Sequence, residues 1–596
     1  MMLAAAACVT FGACGDDDDD DGRYVQAYTG DESDDTDVDD IEFDTERLDE
    51  GEETIPADDN DYVENSTFTD TLYIVYDGDA ATVSGAADGV DVTVSGAHVT
   101  VTSSVGGVEY VLSGASDDGS FKIYGEKKLK ITLDGVTLTN PTGAVINDQC
   151  HKSMYLVLAD DTENTLTDGD TYADTGDEDM KGTVFSEGQI IFSGAGELNI
   201  NANCKNGIAS DDYIIFRLGN VVNVKSAVSN GVKANDYVIV RGGVLNVGVT
   251  TAGTKGINSE GYMEIAGGRT TVITTGGTVI EDGDTKSCAG IKCDSSFTMT
   301  AGELNVQSSG RGGKGINSDA DISISGGTVT VVTTGGYYQN GSYDASPKGI
   351  KADGDIDISG GDVTVTCNGG EGAEGIESKS AMTVTGGNII ANTYDDALNA
   401  STGITVAGGN VYACSTDNDG IDSNGGLYIS GGLVLASGTT TPEGPFDSDN
   451  NTFSITGGTV IGIGGTTSTP TTASTTQPVI LLGTRSYSSN TYIAMSDDDD
   501  NNIFAFLVPQ RYSSAVLLVS SPEMTVGETY TFMSGVTVSG GTWWQGYSDD
   551  TAVSGGTTMK TVQLSSTIVS SGSSSGGTGG TGNNNGKGGG FGGGWW

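Results

Sequence analysis

Hydrophobic and polar residues alternate over short runs through most of the chain, and the runs come in sets. In KGIKADGDIDISGGDVTVT, from Lys348, a short strand carries a Gly-Ile pair. An alternating strand DIDIS follows, then a Gly-Gly corner, then a second alternating strand DVTVT. Alternation at a period of two sends one set of side chains inward and the other outward. The pair recurs at Gly207-Ile208, Gly231-Val232, Gly256-Ile257, Gly290-Ile291, Gly315-Ile316, Gly349-Ile350, Gly375-Ile376, Ala397-Leu398 and Gly420-Ile421, at steps of 22–26 residues with two of 34. Repeats of that length mark solenoids. Three short strands per unit with glycine at the corners predict an all-β fold, a parallel β-helix, regular from 183 to 463. No unit can bury its apolar face alone, so stacking creates the core.

The flanks follow the same logic less strictly. From 68 to 180 the alternation persists without a clean repeat, which suits atypical first turns, with the polar segment 160–179 expected to protrude. Two units are enlarged, at Gly276–Lys286 and at Gly335–Ser346. The second carries Tyr337, Tyr338 and Tyr343, and tyrosine can stack on sugar rings while hydrogen-bonding hydroxyls. The β-helix is therefore expected over 67–465, a Thr-rich connector over 466–478, and a small β region over 479–570 that caps the open end. An uncapped end would expose a pairing edge. Residues 571–596 read as a Gly-rich flexible tail ending in Trp595-Trp596.

Composition changes the picture at two points. With 82 acidic against 26 basic residues, a net charge of −56, the chain would repel nucleic-acid phosphates. The same charge favours cationic partners or bound metal ions. The N-terminus, 1–14, reads as a bacterial lipoprotein signal, with Phe11-Gly12-Ala13-Cys14 resembling a lipobox and Cys14 the lipidated residue. Cys8 is the competing cleavage site. Asp16–Asp21 resembles the acidic export tag of surface lipoproteins, so an outer-membrane, outward-facing location is expected. Residues 15–66 are dominated by Asp and Glu and are expected to form a disordered, self-repelling spacer, dispensable for folding. Cys288 and Cys293 lack a metal-ligand spacing. They read as small buried fillers, with a disulfide between them as the alternative.

Aligning the units on the Gly-Ile pair exposes the candidate chemistry. The residue before the pair is Lys255, Lys314 or Lys348 in middle turns, then Glu374, Asp396 and Asp419. The residue after it passes from Asn258, Lys292, Asn317 and Lys351 to Glu377, Asn399 and Asp422, and Asp395 and Asp417 add to the acidic side. Asp447 and Asp449 extend the row into the next turn. Neighbouring rungs lie about 4.8 Å apart. Like charges at that distance repel by about 0.9 kcal/mol in water and about 3.5 kcal/mol at an effective dielectric of 20. Either the row is a solvated edge that aids solubility, or a cation lies in it. Calcium, which takes 6–8 oxygens at about 2.3–2.6 Å, suits such a row. Zinc does not, because His98 and His151 lie outside these units. Tyr394, Tyr412 and Tyr428 lie near the row in sequence and are candidates for stacking sugars.

YGEKKLKITLDGVTLTN, NTLTDG, KGIKADGDIDISGGDVTV, YDDALNA and DNDGIDSNGGLYISGG together resemble the secreted carbohydrate-binding β-helix family that binds calcium and acidic plant polysaccharides. The resemblance runs from about Leu72 to Ser570. It implies a right-handed parallel β-helix like that of pectate lyases, several calcium ions, and non-catalytic binding of pectin-type or cellulosic polysaccharide by a monomer. It carries calcium ligation onto Asp395, Asp396, Asp419 and Asp422, and onto Glu374, Glu377, Asn399 and Asp417. Two alternatives stand beside it: a calcium-dependent lyase using Lys348, Lys351 or Lys379 as base, and a structural or adhesive surface β-helix.

Overall fold

The computed structural model describes residues 37–572 apart from Glu52, Thr175 and Asp177. Among these residues there is no α-helix, only strands and two short 3-10 turns. The strands stack into three parallel ladders. The first, of 15 strands, runs from Val90–Ser95 to Phe446–Asp447 and contains every Gly-Ile strand. The other two hold the alternating strands, exemplified by Ile356–Ile358 and Asp362–Cys367. They merge in the 12-residue strands Gly426–Ser437 and Phe453–Gly464, which serve both. Alternate side chains of the ladder strands point inward, and these form a single continuous apolar core.

The glycine of the Gly-Ile pair has a steric cause. A Cβ on Gly256, Gly290, Gly315 or Gly349 would collide with a methyl of Val272, Val306, Val331 or Val365 across the core. Those valines stack in register, and the column passes into alanines at Ala391, Ala413 and Ala436. Among these alanine rungs one pair carries alanine itself, Ala397-Leu398. Gly315→Ala is therefore expected to lose about 1–3 kcal/mol by overpacking. Placed in a Val331→Ala background, the same change should cost distinctly less. Strictly additive losses in a denaturant double-mutant cycle would disprove this pairing.

Both ends are closed. The first turns are antiparallel hairpins, Asp70–Asp77 with Ala80–Ser84 and Val90–Ser95 with Ala97–Ser103. At the other end Tyr512–Ser520 pairs antiparallel with Phe453–Gly464, and a five-stranded antiparallel sheet packs over it on Phe504, Phe506, Tyr530 and Phe532. The two enlarged units become hairpins, Val279–Glu281 with Asp284–Lys286 and Tyr338–Asn340 with Tyr343–Ala345.

Two expectations are corrected. Part of the segment expected to protrude, Glu163–Asp168, is a ladder strand with Leu166 in the core. The acidic stretch is not a free spacer from Asp37 onward; residues 37–66 lie as a strap along the solenoid. Arg217 meets Glu53 at 2.7 Å and Glu64 at 2.9 Å, Arg241 meets Asp61 at 2.9 Å, and Arg269 meets Asp44 at 3.3 Å. The Gly243 amide donates to Glu50 at 2.8 Å, and Tyr62 lies against the guanidinium planes of Arg217 and Arg241. The three cations and the few apolar residues Val38, Ile41 and Tyr62 offset the ordering entropy that composition alone would leave uncompensated. Cys14, the rest of the leader to 36 and the tail from 573 lie outside the described residues.

Candidate functional site

Strand register turns the sequence alignment into two columns on the outer face of the Gly-Ile ladder. One runs through Lys233, Asn258, Lys292, Asn317 and Lys351, then turns acidic with Glu377, Asn399, Asp422 and Asp447. The other passes from Lys314 through Lys348 to Glu374, and Asp396 and Asp419 follow ahead of the next two strands. The solenoid thus carries a lysine half and an acid half on one ridge.

The junction is neutralised internally. Buried Lys348 bonds Glu374 at 2.7 Å and lies 3.6 Å from Glu377, which also pairs with Lys379. Burial pushes the Glu377 carboxyl up, but Lys348 and Lys379 outweigh it and hold it below its ordinary range. Burial likewise pulls the Lys348 ammonium down, and Glu374 and Glu377 more than restore it.

Beyond Asn399 no lysine follows. One carboxylate oxygen from each of Asp419, Asp422 and Asp447 lies within 4.8 Å of the others. Asp396 stands behind them, accepting from the Asp419 amide and from the Asn399 side chain, both at 3.0 Å. Asp419 accepts from the Gly444 amide at 2.5 Å. These partners do not balance the charge. Burial, then Asp422, Glu374 and the neighbouring aspartates, push the Asp396 carboxyl far up. Burial with Glu443, Asp422 and Asp447 raises Asp419 to about 8, and burial with Asp447 and Asp449 raises Asp422 to about 7. A second acid group, Asp179, Glu187 and Asp211, differs because Lys181 bonds Asp179 at 2.9 Å and Asp211 at 2.6 Å.

The other expected residues are placed as follows. Asp395 accepts from the Gly372 amide at 2.8 Å and the Asn418 side chain at 2.5 Å. Asp417 takes the hydroxyl of exposed Tyr394, so these three form a separate group beside the cluster. Tyr428 is exposed, but on the outer face of a different ladder, in register with Thr405 and Ser454. Tyr412 is half-buried, its ring packed against the apolar cluster beneath the C-terminal sheet. Tyr337 and Tyr338 are half-buried at the base of their hairpin. Cys288 and Cys293 are buried free thiols, so the alternative of a disulfide falls. Sequence reasoning missed a stack of Tyr213, Tyr237 and Tyr262, with ring centroids 4.5 and 4.7 Å apart. The signal was available, since a tyrosine recurs at the same position of three successive units.

This fold and ridge define a parallel β-solenoid whose outer ridge passes from lysines to acids. The carbohydrate-binding domain-containing protein family matches residues 95–251, 247–341, 310–397 and 337–420, together more than half of the 596 residues. The chain belongs to that family. A carbohydrate-binding domain-containing protein of Acetivibrio thermocellus is 34% identical over 100 residues, 16% of this chain, which spans 35% of that relative's length. A solved structure, the polysaccharide lyase-like protein from C. thermocellum in a gadolinium derivative, is similar at 27% identity and a TM-score of 0.35, over 43% of this chain and 97% of its own.

Proposed function

We propose that the protein is a non-catalytic, calcium-dependent binder of acidic plant cell-wall polysaccharide, of the pectin or polygalacturonate type, held at the bacterial surface by a lipid on Cys14. The observation that carries this reading is the unneutralised oxygen cluster of Asp419, Asp422 and Asp447, backed by Asp396, in a chain of a carbohydrate-binding family. The donors fit calcium. All are oxygens, and an ion midway between two of them 4.8 Å apart would stand about 2.4 Å from each. Calcium bound there would supply positive charge and open coordination positions for sugar carboxylates. One oxygen from each of the three aspartates is fewer than the 6–8 that calcium takes, which leaves room for them. The test is a glycan array run with calcium and with chelator. Polygalacturonate should be retained far more strongly with calcium than in chelator; retention of cellulose alone, or of polygalacturonate equally in chelator, would refute the calcium bridge.

One observation favours a lyase as the second reading. Burial, aided by neighbouring lysines, lowers Lys314 to about 8, so this base sits nearer working pH than Lys348 does. Ultraviolet absorbance should show no unsaturated uronide after long incubation at alkaline pH. Sustained product that disappears in Lys314→Gln would establish the lyase instead.

A further inference from the structure

Lys255, Lys292, Lys314, Lys348 and Lys351 stand on four successive strands of the Gly-Ile ladder, and they are not treated alike. Lys292 pairs with Asp294 at 2.7 Å and Asp319 at 2.6 Å, Lys348 pairs with Glu374, and Lys351 with Asp353. Lys255 and Lys314 have no carboxylate partner among the described residues. The Lys255 ammonium donates to the Gly253 and Ser287 carbonyls, both at 2.8 Å, and the Lys314 ammonium to the Ser287 hydroxyl at 3.0 Å. An ammonium has three hydrogens to donate. On this ridge, where Lys233, Lys292, Lys348 and Lys351 are all paired with carboxylates, a lysine without a counter-ion is the exception. Burying a charge without a partner is costly. Burial accordingly draws Lys255, like Lys314, down to about 8.

Lys255 and Lys314 both reach Ser287 and keep donors to spare, which calls for an anionic group between them. We propose that Lys255 and Lys314 form a metal-independent subsite that receives the carboxylate of a uronate residue. This rests on the polysaccharide reading above and extends it along the ridge. Lys314 and Asp422 are four rungs apart, roughly 19 Å at the usual strand spacing. A single acidic chain of several sugars would therefore meet lysines at one end of the ridge and the aspartate cluster at the other.

The test uses the full chain and trigalacturonate in the presence of chelator, at moderate salt so that the net negative charge is screened. The wild type should bind, and Lys255→Gln with Lys314→Gln should weaken that binding at least tenfold. Lys152→Gln, the same charge change at an exposed site, should not. Asp419→Asn with Asp422→Asn should keep the chelator-resistant binding, so a failed calcium site and a failed lysine subsite give different results. Absence of binding by the wild type in chelator, or an unchanged affinity in the lysine double variant, would overturn the subsite. Lys314→Met guards against a structural explanation. Without ligand it should melt at or above the wild-type temperature, because an unpaired charge has been removed; a drop of several degrees would mark the lysine as a structural element and also overturn the proposal.

Discussion

Chelation of calcium is expected to lower the melting temperature of this protein by several degrees, and Asp419→Asn with Asp422→Asn should remove most of that difference. An ion bound only by the native state at 100 times its dissociation constant stabilises it by about 2.7 kcal/mol. Asp396, Asp419 and Asp422 hold their protons more tightly folded than unfolded. Such carboxylates contribute stability that is full below their unfolded values, near 4, and is lost as pH rises through their folded values. In chelator the melting temperature should therefore fall from about pH 4 upward, most steeply between the unfolded values and about pH 7, and level off above the folded values of about 7 for Asp422 and about 8 for Asp419. Calcium should flatten that profile, because the cation replaces the protons. The aspartate double variant should be distinctly shallower without it, Asp396 alone of the three remaining. An equally steep profile in the variant, or a calcium shift that survives in it, would place the ions elsewhere.

The second large effect concerns the strap. A chain starting at Ser66 is expected to melt well below one starting at Asp37. Arg217→Ala in the full chain should cost about 3 kcal/mol, the lower end of the range for breaking a buried pair, because Glu64 is 44% exposed in its pair with Arg217. Arg217 itself is 3% exposed, and its removal strands Glu53 as well as Glu64. Limited proteolysis should then cut within 37–66 while leaving the solenoid whole. Equal melting of the two lengths of chain would mean that the strap merely rests on the surface.

What could be read from the chain, and what could not, divides on how local the cause is. The Gly-Ile pair was readable because one close contact per turn demands glycine, and the demand repeats with the turns. The acid end was readable because rung-to-rung register preserves the sequence alignment; Glu377, Asn399, Asp422 and Asp447 do stand one above another. The strap was not, because its partners Arg217, Arg241 and Arg269 lie more than 150 residues away and composition treats its acids as self-repelling. The surroundings of Tyr412 were hidden for a related reason. Outward positions of a solenoid are exposed only until something covers them, and the C-terminal sheet partly covers this one. Nor could alignment show which lysines are paired: Lys348 and Lys314 occupy equivalent positions, yet only one has a glutamate on the next rung.

The central claim is that the aspartate end of the ridge holds the ion through which acidic polysaccharide is bound. Affinity electrophoresis in gels containing polygalacturonate, across a calcium titration, addresses it most directly. Wild-type migration should be retarded progressively as calcium rises, and Asp419→Asn with Asp422→Asn should run as the wild type does in chelator. Calcium-dependent retardation of equal size in the variant would contradict the account.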